Sequence, residues 1–95
     1  GKLSIEASPT GQLAYVTSTA SAGAGAVTVE MPNKSGVSHN IAIQQGTSGA
    51  VLGASAFTAN GLASVKVTLK PGTYTFFCQV PGHRAAGMEG KLTVK

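Results

Sequence analysis

The chain has 95 residues, 42% of them hydrophobic and 11% charged. That length holds one core and no second independent one, and low charge at near-normal hydrophobicity excludes disorder, which needs the opposite balance. Seven basic and three acidic residues leave a net charge of +4. The basic residues are scattered and no aromatics interleave with them, which argues against nucleic-acid binding. No apolar run approaches the ~20 residues that span a bilayer. The opening GKLSIEAS alternates and has no apolar signal core, so it is read as part of the folded domain, residues 1–95.

In chain order, period-two patterns dominate and predict strands. Leu3, Ile5 and Ala7 alternate with Lys2, Ser4 and Glu6. Leu13 to Thr19 reads as a second, weaker strand. The Ala/Gly/Ser/Thr stretch 19–26 reads as a small-residue strand and turn. Ala26 to Met31 turns Val27 and Val29 to one face and Thr28 and Glu30 to the other. Asn40 to Gln44 alternates around Ile41 and Ile43. Gly46 to Gly61 is long for a structureless loop, which predicts a short strand or helical turn with Phe57 packed inward. Ser64 to Leu69, Thr73 to Cys78 and Lys91 to Lys95 complete the set. Pro9-Thr10-Gly11, Gly23 to Gly25, Pro32 to Gly36 and Lys70-Pro71-Gly72 mark turns. Short, closely spaced strands predict an all-β antiparallel sandwich or barrel.

Chemistry concentrates in one stretch, TFFCQVPGHRAAGMEGKLTV. Cys78, the sole cysteine, is followed by His83 and then by Met88 at equal spacing. Gly82 and Gly87 precede the imidazole and the thioether, and Pro81 stiffens the turn. The other histidine, His39, begins an alternating strand. One cysteine excludes an internal disulfide and four-cysteine zinc sites. Each residue alone has an ordinary reading: Cys78 as a small buried hydrophobe, His83 as a loop residue, Met88 as core, His39 as a turn cap. Taken together, two imidazoles, a thiolate and a thioether are the donor set of a trigonal copper site with a long axial thioether. Met31 has no such company and reads as core.

These residues resemble the plastocyanin/azurin family of cupredoxins, the blue copper proteins. The resemblance covers nearly the whole chain, and VTVEMPNKSGVSHNIAI, LKPGTYTFFCQVPGH and RAAGMEGKLTV carry it. The Cys-to-His spacing looks azurin-like and the His-to-Met spacing plastocyanin-like, most like small bacterial and archaeal domains. The resemblance implies a cupredoxin-like Greek-key sandwich of about eight strands, with one copper under a loop-rich end. It makes His39, Cys78 and His83 the equatorial ligands and Met88 the weak axial one. Asn40 would bond across to the ligand loop near Gln79, its backbone N–H donating to the Cys78 sulfur. The acidic docking patch of plant plastocyanins is missing.

The implied function is one-electron transfer, cycling Cu(I) and Cu(II), and no enzymatic activity, because protein ligands saturate the metal. Copper storage or delivery is the alternative, but two methionines are few for it. An electron-entry domain of a larger oxidoreductase is another. A catalytic copper would need further histidines, and a binuclear entry site would need a second cysteine. The expected partners are redox proteins that dock briefly on a monomer. A membrane link would come only through an anchor outside these residues, and the setting is extracytoplasmic, periplasm or cell surface. The expected docking patch is Val37, Val80, Pro81, Gly82, Ala85 and Ala86 around His83, with Arg84 on its charged rim.

Overall fold

The computed structural model describes residues 1–95, with eight strands and no helix. They are β1 (Lys2–Ser4), β2 (Thr19–Ala22), β3 (Gly25–Asn33), β4 (Ala42–Gln45), β5 (Val51–Ala54), β6 (Gly61–Leu69), β7 (Gly72–Phe77) and β8 (Glu89–Val94). They form a three-stranded sheet in the order β1-β3-β6 and a five-stranded sheet in the order β2-β8-β7-β4-β5. The pairs β1–β3 and β2–β8 are parallel and the rest antiparallel. The chain passes between the sheets after β1, β2, β3, β5 and β6, and stays within the larger one from β4 to β5 and from β7 to β8.

Alternation explains the core. In β3, Val27, Val29 and Met31 are buried while Thr28 and Glu30 between them are less so. In β6, Ala63, Val67 and Leu69 face inward. From the larger sheet, Ile43, Tyr74, Phe76, Leu92 and Val94 meet them, joined by Ile5 and Ile41. Burying these side chains removes apolar area from water, the main favourable term in a chain this size.

Two expectations change. Of Leu13 to Thr19, only Thr19 lies in a strand, as the first residue of β2. Only Tyr15 is deeply buried there, through an isolated bridge to Ala7, and Val16 is exposed. Alternation within that stretch is irregular, so no face of it serves as a strand face. Residues 46–61 do contain a short strand, β5, but Phe57 points outward at 54% exposure. The segment's inward positions there serve the backbone instead. Ser55 N–H donates to the Ile41 carbonyl, Ser55 Oγ accepts from Ile41 N–H, and Thr58 pairs with His39. The stretch 19–26 does form a small-residue strand and turn, as expected.

Candidate metal centre

Cys78 follows the last residue of β7, and Met88 precedes the first residue of β8. Since Phe77 pairs with Glu89, the strands close the base of the intervening loop. Cys78 N–H donates to the Met88 carbonyl at 3.2 Å. Within the loop a tight turn forms: His83 N–H donates to the Val80 carbonyl at 3.0 Å and Met88 N–H to the His83 carbonyl at 3.1 Å. Gly82 and Gly87, with φ of +85° and +118°, take backbone conformations that side-chain-bearing residues avoid. Each sits immediately before a donor residue, so the bend and the donor are set together.

His39 arrives from another direction. It lies ahead of β4 rather than within it, paired with Thr58 by two backbone hydrogen bonds of 3.0 and 2.9 Å. Asn33, wholly buried at the end of β3, organises the turn before it. Its Nδ2 donates to the carbonyls of Val37 and Thr58, and its Oδ1 accepts from Ser35 N–H and Oγ. The turn over Pro32 to Gly36 was legible in the sequence, but the reach of Asn33 to Thr58 was not.

The donors converge. His39 Nδ1 lies 3.1 Å from His83 Nδ1, and Cys78 Sγ lies 3.8 and 3.6 Å from them. A point equidistant from the corners of a triangle with sides 3.1, 3.6 and 3.8 Å is about 2.0 Å from each, close to ordinary metal–imidazole bonds of ~2.0–2.1 Å and slightly inside metal–thiolate bonds of ~2.3 Å. His39, Cys78 and Met88 are fully buried, and His83 is half-buried. Burial, and then the charge of His83, lower the pKa of His39 and keep its imidazole neutral, the form that binds metal. Its Nε2 is buried without a hydrogen-bond partner. An imidazole with one nitrogen orphaned and the other facing a second imidazole nitrogen is costly as core packing. A cation held by both Nδ1 atoms and the sulfur turns the contact between the two ring nitrogens into shared ligation and leaves Nε2 of His39 as the protonated nitrogen.

Asn40 ties the two arms together. Its Oδ1 accepts from Gln79 N–H at 2.7 Å and its Nδ2 donates to Gln79 Oε1 at 2.8 Å. Asn40 reaches the loop through its side chain, and both imidazoles stand within hydrogen-bonding range of Cys78 Sγ. Tyr15 was not anticipated. Its hydroxyl donates to the Asn40 carbonyl at 2.6 Å, and its ring meets Phe76 edge-on. Burial, then the charge of Cys78, push the Tyr15 pKa up, so the hydroxyl stays a donor.

Pro81, Gly82, Ala85 and Ala86, which flank His83 in the chain, are exposed, and Val37 and Val80 are half-buried. Arg84, on the expected rim, is half-buried. Its guanidinium turns onto the sheet and bonds Glu89, Gln44 and Thr47.

A buried imidazole–imidazole–thiolate cluster beside a thioether, at one end of a two-sheet sandwich, defines a cupredoxin-like copper protein. The chain belongs to the plastocyanin/azurin family of copper-binding proteins, whose model matches residues 2–95. Auracyanin B is similar at 28% identity and TM-score 0.87, covering 99% of this chain and 88% of that one. Reduced auracyanin from the photosynthetic bacterium Roseiflexus castenholzii is 26% identical at TM-score 0.87, covering 99% and 96%. Auracyanin A, a "blue" copper protein from the green thermophilic photosynthetic bacterium Chloroflexus aurantiacus, is 27% identical at TM-score 0.81, covering 100% and 98%. No curated protein sequence matches the chain.

Proposed function

We propose that residues 1–95 act as one domain, a one-electron carrier with a single type 1 copper. The observation that carries this reading is the convergence of His39 Nδ1, His83 Nδ1 and Cys78 Sγ in a buried cluster. His39, Cys78 and His83 are the equatorial ligands and Met88 the weak axial one. Bound there, copper supplies a Cu(I)/Cu(II) couple, since thiolate and thioether suit the reduced ion and imidazole suits both.

The chain's own residues hold that site still and dry. Asn40 and Gln79 lock the His39 segment to the ligand loop. Burial of Cys78 and Met88 keeps water from the donors. The protein is not an enzyme. Four protein donors would leave the metal no open position for substrate. Storage or delivery is less well supported, because release needs accessible donors and three of the four are buried.

Electrons cross at His83, within the small uncharged patch of Val37, Val80, Pro81, Gly82, Ala85 and Ala86. Such a patch suits brief docking of a redox partner protein on a monomer. The setting is extracytoplasmic, periplasm or cell surface. No helix is long and apolar enough to cross a membrane.

The test is copper addition to the purified protein. One Cu(II) per chain should give an intense visible band and a reversible one-electron couple. Cys78→Ser should abolish the band while the copper-free protein stays folded. A serine variant that remains blue overturns the assignment.

A further inference from the structure

The five-stranded sheet has an outer face, and the register defines it. Gln44 stands opposite Thr75 across β4 and β7, and Phe77 stands opposite Glu89 across β7 and β8. Side chains two apart on a strand share a face, so Gln44, Thr75, Phe77 and Glu89 all point the same way. The inner-facing partners, Ile43, Tyr74, Phe76 and Leu92, fill the core. An outward phenylalanine should be exposed, yet Phe77 is only 8% accessible.

The side chain lying over it is that of Arg84. The guanidinium carbon sits 4.2 Å from the Phe77 ring centroid. From that position Nε donates to Glu89 Oε1 at 2.9 Å, and Nη2 donates to Gln44 Oε1 at 2.9 Å and to the Thr47 carbonyl at 3.2 Å. Gln44 is itself buried, and its other end donates to the Gly49 carbonyl at 2.9 Å. Its oxygen has no other donor than Arg84, so removing the guanidinium orphans a buried acceptor. The exposed ion pair with Glu89 adds little by itself. The planar fork, serving three acceptors while stacked on a ring, is what lysine cannot reproduce.

Arg84 is the residue after His83 and sits in the same turn that Met88 closes. We infer that Arg84 is a positioning residue that clamps the His83–Met88 turn to β4 and the turn after it, holding two of the donors in place. This rests on the copper reading above for its functional meaning. The side chain that sequence alone assigns to the docking rim is engaged by neighbours on the outer face of the larger sheet.

The experiment compares the wild type, Arg84→Ala and Arg84→Lys. Three quantities are read: amide hydrogen exchange of residues 80–88 in the copper-free protein, the rate of Cu(I) transfer to a chelator, and the reduction potential. Arg84→Ala should raise exchange in the loop relative to β3 and β6, release copper ~10–100-fold faster and shift the potential. Arg84→Lys should be intermediate, keeping the charge opposite Glu89 and losing the fork. Gln44→Leu should weaken the effect of Arg84→Ala when the two are combined, because the partners are then removed together. Arg84→Ala with wild-type loop exchange, copper release and potential overturns the inference, even if electron transfer to a partner slows. A lower melting temperature with those three quantities unchanged also overturns it. If the wild type takes up no copper, the functional reading falls, and loop exchange still decides whether Arg84 is a clamp.

Discussion

Replacing Asn40 by alanine removes the one side chain that joins the His39 segment to the ligand loop on both of its polar atoms. Three hydrogen bonds disappear: from Gln79 N–H at 2.7 Å, to Gln79 Oε1 at 2.8 Å and to the Ser55 carbonyl at 3.3 Å. Each is worth roughly 0.5–1.5 kcal/mol net. Gln79 is exposed, so water replaces its Oε1 partner, and the Ser55 contact is long. The larger loss is Gln79 N–H, which is left without its side-chain acceptor. A total of about 2 kcal/mol follows. In a domain of this length that lowers the melting temperature by roughly 8–16 °C. The fold survives, since domain stabilities run at about 5–15 kcal/mol. With the two arms uncoupled, copper affinity should fall ~10–100-fold and the potential should shift. Scanning calorimetry of the copper-free protein reads the first effect, and metal competition and voltammetry read the second. A copper-free variant that melts within about 2 °C of wild type, with unchanged potential, refutes the reasoning and leaves Asn40 as an ordinary residue ahead of a strand.

Met88→Leu keeps the buried volume at a cost below about 1.5 kcal/mol and should raise the reduction potential, whereas Met88→Gln, with a harder oxygen donor, should lower it; equal potentials by voltammetry would show that Met88 is not axial. Ala85→Glu or Ala86→Glu, at exposed positions, should leave stability within about 0.5 kcal/mol and the visible spectrum unchanged while slowing electron transfer to the redox partner; wild-type rates in both would move the entry point elsewhere. Acid should destabilise the copper-free protein. The pKa of His39 is lowered in the folded state, so below pH ~6.5 the unfolded chain binds the proton first and stability falls with pH. Melting temperatures should drop between pH about 7 and 5.5, less so in His39→Gln, and a pH-independent melting temperature would contradict the burial argument.

Much of the molecule was legible in the order of its residues. Period-two alternation places Val27, Val29 and Met31 on one face of β3 and Val67 and Leu69 on one face of β6, because successive strand side chains point to opposite sides. The ligand loop was equally plain. Cys78, His83 and Met88 are local in sequence, and their glycines announce the bends. What a local pattern does not carry is which distant segment meets which. His39 lies 39 residues from Cys78, and only the packing of two sheets brings their donor atoms within 3.8 Å. The same holds for Asn33 reaching Thr58 and Tyr15 reaching Asn40 across 25 residues each. Phe57 and Arg84 show the limit from the other side. Hydrophobicity sent Phe57 inward and charge sent Arg84 outward. The tertiary structure leaves Phe57 exposed while Ser55 and Thr58 pair with the His39 segment, and it lays Arg84, still partly exposed, over the outer face of the larger sheet, where a ring and three acceptors lie within reach of the guanidinium.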